Sequence, residues 1–237
     1  MSEVTHIKLE DLNAVSEMAS DRLIELVKAK PNALITIAGG DTPVPTINKF
    51  VDKVKEQNID ISNLKIISLD EWVGIDETDP GSCRAYLNKH LFYPLNFNKD
   101  NILFFNGKAE DLEAECLNAN EFIDTHGPLS LSLLGVGVNG HLGFNEPNSN
   151  LDNLAYVTEL HANTKEVGTK YFAGEMNALG GITLGLKQLL ASDEIIIIAS
   201  GPTKTKAISE LQTGKYNAEY TITVLNNHDN STIIYSE

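Results

Sequence analysis

The stretch "EIIIIASGPTKTKAISELQTG", Glu194 to Gly214, holds in one pass the unit from which the fold is built. Ile195 to Ile198 leave no polar side to the strand, so it must be covered on both faces. Gly201 then breaks the run, and "TKTKAISELQTG" reads as a helix that stops at Gly214. A doubly covered strand feeding a helix is the repeating unit of a parallel sheet.

The unit recurs along the chain. "ALITIAG" (Ala33 to Gly39), "KIISL" (Lys65 to Leu69), "NILFF" (Asn101 to Phe105), "LSLLGVG" (Leu131 to Gly137) and "YTITVL" (Tyr220 to Leu225) read as further strands, with "TIIYS" as one more near the end. Between them lie amphipathic helical patterns: Leu9 to Lys30, stopped by Pro31; Pro43 to Gln57; "CRAYLNKHLFYPL"; and "AEDLEAECLNANEFIDTHG", ending at Gly127. The alternation predicts a single doubly wound α/β domain over residues 1–237, with one mostly parallel sheet flanked by helices in three Rossmann-like layers. There is no repeat, linker or low-complexity tract.

Composition narrows the function classes. The chain has 237 residues, 42% hydrophobic and 22% charged, which is ordinary for a folded domain with a large core. The N-terminus is too polar for a signal peptide, and no apolar run approaches the ~20 residues of a bilayer span. Cys83 and Cys116 lack metal-ligand spacing and read as inert thiols in a reducing compartment. The expected location is the cytoplasm. Net charge is -15, from 33 acidic and 18 basic residues, which disfavours nucleic acid and anionic lipid as partners. An anionic substrate would have to be met by backbone amides and a few placed lysines.

In an open parallel sheet, ligands bind beyond the carboxyl ends of the strands. The residues that follow each apolar run are therefore the candidates. After the first run comes "AGGDTPVP", where Gly39 and Gly40 permit close approach, Thr42 is a candidate N-cap, and Pro43 suits the first helical position. This is either a tight turn or a helix start whose amides receive a phosphate. It is neither a P-loop nor a GxGxxG fingerprint, which disfavours nucleotide. After the second run, "SLDEWVGI" sets Asp70 and Glu71 side by side. In extended backbone they point to opposite sides, so one can face a cleft while the other caps or pairs. After the fourth run, "LLGVGVNGHLGFNEP" gathers Asn139, His141 and Glu146 around four glycines. An imidazole titrates near neutrality, and a carboxylate can orient it. After the run at Glu194, Lys204 stands near a helix start, where it opposes the dipole unless an anion is bound. An aspartate, an oriented histidine, two amide-rich helix starts and a lysine suit proton shuttling on a small phosphorylated carbonyl compound.

These motifs carry a resemblance. "LGVGVNGHLGFNEP", "SLDEWVGI", "GGDTP" and "GITLGLKQLLASDEIIIIASGPTKTKAI" together resemble the glucosamine-6-phosphate deaminase/isomerase family, which shares its fold with the 6-phosphogluconolactonases, in register from about Ala33 to Leu225. The FNEP continuation favours an amino-sugar phosphate over a lactone. The resemblance implies conversion of glucosamine 6-phosphate and water to fructose 6-phosphate and ammonium, with no metal or organic cofactor. It implies His141 as the acid/base for ring opening, Glu146 as its orienting partner, and Asp70 as the base between C2 and C1. Asn139 falls where some members carry aspartate, so the charge on His141 would rest more on Glu146. The phosphate would lie over Gly39, Gly40 and Thr42, with Lys204 as its cation. Asn153 to Glu175 fits the family's mobile lid.

Two positions depart from the family pattern: Asp41 stands where a small residue is common, and Lys170 stands in "TKYF" where an arginine is common. Lysine keeps the charge without the bidentate fork. Both touch the phosphate end, which keeps galactosamine 6-phosphate open as substrate. A lactonase and a non-catalytic sugar-phosphate sensor are the remaining alternatives. A monomer or small homo-oligomer is expected.

Overall fold

The computed structural model describes residues 4–172 and 178–237. The first strand, β1 (Thr5–Lys8), leads to α1 (Leu12–Ala29), whose start is capped by Asp11 accepting from the Ala14 amide at 2.8 Å. Val15, Ala19, Leu23 and Val27 recur along one side of α1 and are buried. β2 (Leu34–Ile37) and α2 (Pro43–Glu56) form the next unit, followed by β3 (Lys65–Ser68). A short strand β4 (Asp70–Val73) and the helix α3 (Cys83–Leu87), prolonged by a π turn over Asn88–Phe92, come before β5 (Ile102–Leu103). Then follow α4 (Leu112–His126), β6 (Leu131–Leu134), β7 (Tyr156–Thr158), α5 (Ala162–Gly168), β8 (Gly180–Thr183) and α6 (Leu186–Leu190). The chain closes with β9 (Ile195–Ser200), α7 (Thr205–Gln212) and β10 (Ser231–Ser236).

Seven strands form the main sheet in the order β1-β10-β9-β6-β2-β3-β5, and every neighbouring pair is parallel. The four isoleucines of β9 show why. Ile196 and Ile198 enter the core formed with α1 and α2, while Ile195 and Ile197 enter the opposite core with α4, α6 and α7. Both faces are buried, as the uninterrupted apolar run requires. The chain reverses its direction of travel between β2 and β6, so the crevice beyond their carboxyl ends is a topological switch point. Among the described residues, no helix is long and apolar enough to cross a membrane.

Two expectations are corrected. Tyr220–Leu225 is not a strand; Thr221–Asn227 forms a 3-10 turn. The Thr223 hydroxyl takes the Asn217 amide at 2.8 Å and donates back to nearby carbonyls, so the local backbone is satisfied without a ladder. β10 fills the place beside β9 instead. Thr42 is not an N-cap: its backbone is already helical and its hydroxyl makes no capping bond, although Pro43 does open α2. Asp70 and Glu71 are in extended backbone as expected, at the start of β4, which joins β8 and β7 in a second, antiparallel sheet of three strands. The described part of the stretch 153–175 includes β7 and α5, and 173–175 lie outside the described residues.

Ile198→Ala should lower the unfolding free energy by about 2–5 kcal/mol, and Ile198→Val by about 1 kcal/mol, because the site is closed on both sides. Urea denaturation checks this. The midpoint should fall while the slope stays constant.

Candidate active site

β9, β6, β2 and β3 are consecutive in the sheet, so the segments that leave their carboxyl ends lie side by side. Between them is a cavity of about 430 Å³. Its wall is formed by Gly39, Gly40, Asp41 and Thr42 after β2, Asp70 on β4, Asn139 and His141 after β6, Lys170 after α5, and Lys204 before α7. Glu146, the remaining expected residue, does not line the space; it is buried behind His141. Residues up to 165 positions apart (Gly39 and Lys204) are thus brought to one volume, of the size that holds a small organic ligand.

Asp70 and Glu71 diverge as adjacent strand residues must. Glu71 turns inward, 1% exposed, and its carboxylate accepts from the Trp72 amide at 2.9 Å, the Ser82 hydroxyl at 2.7 Å, and the Cys83 and Arg84 amides at 3.1 and 3.0 Å. It thereby ties β4 to the start of α3. Burial pushes its carboxyl above the usual range, against the pull of those donors. Asp70 faces the cavity. Burial, reinforced by the neighbouring charge of Glu71, pushes its carboxyl up to about 7, while the Cys83 thiol pulls the other way. A carboxylate so tuned is a far better base than an exposed one and still ionises near neutrality.

The imidazole is held from behind. Nδ1 of His141 lies 3.3 Å from Glu146 Oε2 and 3.3 Å from the Thr164 hydroxyl. Glu146 also accepts from Asn139 Nδ2 at 2.9 Å, from the His161 amide at 3.2 Å, and from the Thr164 hydroxyl. Burial alone would raise the Glu146 carboxyl, but the hydrogen bond and charge of His141, with the bonds from Thr164 and Asn139, hold it at about 2. It is therefore a fixed negative charge at any physiological pH. Gly137 of this loop has a packing reason: a Cβ there would lie 2.5 Å from Nε2 and Cε1 of the ring, so only glycine lets the imidazole lie flat against that turn.

At the other end, Gly40 has φ of 112°, a left-handed conformation that an L side chain resists. Lys204 is half-buried at the close of a 3-10 turn, Pro202–Lys204. Burial lowers its pKa, and the nearby charge of Lys170 lowers it further. Among the described residues, neither lysine has a carboxylate within salt-bridge distance, as expected of cations that await an anion. Asp41 accepts from the Tyr86 hydroxyl at 3.2 Å, which draws its carboxylate toward α3.

Reading the sequence missed several residues here. Thr164 touches both His141 and Glu146, but an isolated threonine in a polar segment carries no signal. Cys83 is no bystander: it lines the cavity beside Asp70, whose charge, after burial, helps keep the thiol protonated far above its usual range. Tyr171 stacks edge-on against Tyr86 at 5.8 Å, and Phe172 against Trp72 at 5.6 Å, so the chain beyond α5 is docked over the cavity through aromatic contacts.

Residues 10–234 match the family described as glucosamine-6-phosphate isomerases/6-phosphogluconolactonase, and the chain belongs to that family. A glucosamine-6-phosphate deaminase of Lysinibacillus sphaericus (strain C3-41) is 33% identical over 230 residues, covering 97% of this chain and 97% of the relative. A solved structure of a monomeric glucosamine-6-phosphate deaminase is similar at a TM-score of 0.95 and 28% identity, covering 99% of this chain and 98% of that one. The 6-phosphogluconolactonase of Thermotoga maritima, at 19% identity, a TM-score of 0.80, and coverage of 99% of this chain and 100% of that one, shares the fold alone.

The raised pKa of Asp70 has a cost in stability. In the unfolded chain an aspartate ionises at ~3.9, and in the folded chain Asp70 ionises at about 7. Below the first value both states hold the proton and there is no penalty. As pH rises between the two, only the unfolded chain gives up its proton, and folding weakens; above the second value the full penalty applies. Asp70→Asn should therefore raise the unfolding free energy by on the order of 2–4 kcal/mol at pH 8 and change it little at pH 4. Urea midpoints at the two pH values check the sign.

Proposed function

We propose that this family member is a hexosamine-6-phosphate deaminase that converts glucosamine 6-phosphate and water to fructose 6-phosphate and ammonium. The observation that carries the reading is that Asp70 and His141, each backed by its own buried carboxylate, face one cavity whose far end holds two lysines and the glycine turn before α2. The phosphate is read as lying over Gly39, Gly40 and Thr42, with Lys204 and Lys170 as its cations. His141 takes the proton of the anomeric hydroxyl and returns one to the ring oxygen, opening the pyranose. Asp70 then removes the C2 proton to give an enolamine and delivers it to C1. The resulting C2 imine takes up water and expels the nitrogen as ammonium. Glu146, held ionised, favours the imidazolium at each turn.

The whole chain is read as one catalytic domain that acts as a monomer in the cytoplasm, with 153–175 as a lid over the substrate. A net charge of -15 supports a small-molecule substrate rather than nucleic acid. Asp41 supports a second reading, galactosamine 6-phosphate, because it adds an acceptor at the mouth of the cavity where a sugar hydroxyl can reach it.

Ammonium release from the two epimers decides between these readings, with faster release expected from glucosamine 6-phosphate. Faster release from the other epimer would reassign the substrate. Hydrolysis of a phosphogluconolactone without ammonium release would make the chain a lactonase, and binding without turnover would make it a sensor. Asp70→Asn should lower turnover by about a hundred- to ten-thousandfold while substrate still binds, which calorimetry can follow.

A further inference from the structure

We infer that Thr164 is a positioning residue for His141, and that the segment carrying it selects which ring nitrogen of the imidazole carries the proton. The inference rests on the proposed ring-opening role of His141 and goes beyond it. Thr164 is on α5, outside the glycine-rich loop, and its side chain is buried. Its hydroxyl donates to Glu146 Oε1, which leaves the oxygen lone pairs for His141 Nδ1 at 3.3 Å. The other near neighbour of Nδ1 is Glu146 Oε2, also at 3.3 Å, and it too only accepts. Nδ1 therefore faces acceptors alone and must carry the proton. A neutral imidazole has one N–H, so Nε2, on the side of the ring against Gly137, is left with its lone pair available to a substrate hydroxyl.

Without the Thr164 hydroxyl, one anchor of the Glu146 carboxylate is lost together with one of the two acceptors that fix Nδ1–H. The other tautomer then competes. The same stretch of chain also reaches the opposite end of the cavity. Lys170 lies close enough to Lys204 to lower its pKa, and the Tyr171 hydroxyl lies 3.6 Å from where a Cβ of Gly40 would be. One continuous segment, 161–172, therefore touches the acid/base group at one end and the anion end at the other. Docking it around a phosphate also sets the imidazole.

The test compares Thr164→Val, which keeps the shape and removes the hydroxyl, with Thr164→Ser, which keeps the hydroxyl. The readouts are ammonium release from glucosamine 6-phosphate and 15N NMR of the His141 ring. In the valine variant kcat should fall about ten- to a hundredfold, the size expected for one hydrogen bond to a charged group. KM should hold nearly constant, and the Nδ1–H signature of His141 should give way to a mixture. The serine variant should recover most of kcat and the single tautomer. A valine variant with unchanged kcat and an unchanged His141 spectrum overturns the inference. So does a serine variant as slow as the valine one, because packing rather than the hydroxyl would then be the cause. If the wild-type chain releases no ammonium from either hexosamine phosphate, the deaminase reading fails. The NMR comparison of wild type and Thr164→Val still decides the positioning claim by itself.

Discussion

A carboxylate withdrawn from water has to be surrounded by donors, and those of Glu146 come from separate stretches of the chain. Asn139 and His141 belong to the glycine loop after β6, while the His161 amide and the Thr164 hydroxyl belong to the start of α5. The arrangement is all or nothing. A donor that moves away leaves a buried charge less compensated, which costs more than the bond was worth when made. Glu71 repeats the pattern on the other side of the cavity, where its four donors clamp β4 to α3 and fix the wall from which Asp70 projects. Two buried acids that meet no substrate thus hold in place the two groups proposed to do the chemistry.

The electrostatic consequences differ because the surroundings differ. Glu146 is drawn down by His141 and by its hydrogen bonds, so it is charged at any physiological pH. At Asp70, burial and the like charge of Glu71 outweigh the pull of the Cys83 thiol. Two carboxyl groups, one lining the cavity and one buried behind it, are therefore moved in opposite directions. That separation suits the roles proposed for them, one as a constant field and the other as a group that exchanges protons. The lysines at the far end complete the gradient: they place positive charge inside a molecule whose net charge is -15.

The layered sheet was legible because its signal is local and strong. The run Ile195–Ile198 states in four residues that both faces are covered, and the core shows the alternation this implies. Asp70, Asn139, His141 and Glu146 stood out because they follow such runs or cluster among glycines. Tyr220–Leu225 misled because its alternating threonines imitate a strand; there the Thr223 hydroxyl satisfies local backbone, the Thr221 hydroxyl donates to the Glu146 carbonyl, and the apolar side chains Ile222, Val224 and Leu225 are buried as a strand's would be. The second sheet escaped notice because β4 starts only two residues after β3 ends, and a reader sees one run where the structure has two. Thr164 and Cys83 were invisible for another reason. Their significance lies in what they touch, and no spacing rule brings position 164 to 141 and 146, or position 83 to 70.

The ring of Trp72 packs against Phe144 at 4.7 Å and against Phe172 at 5.6 Å, and it is the one tryptophan in the chain. The indole therefore sits at the seam between the loop after β6 and the stretch that follows α5. Any displacement of that stretch changes the polarity around this single chromophore. Under the proposed closure over substrate, the indole is an optical gauge of occupancy, and stopped-flow emission can follow it without an attached dye.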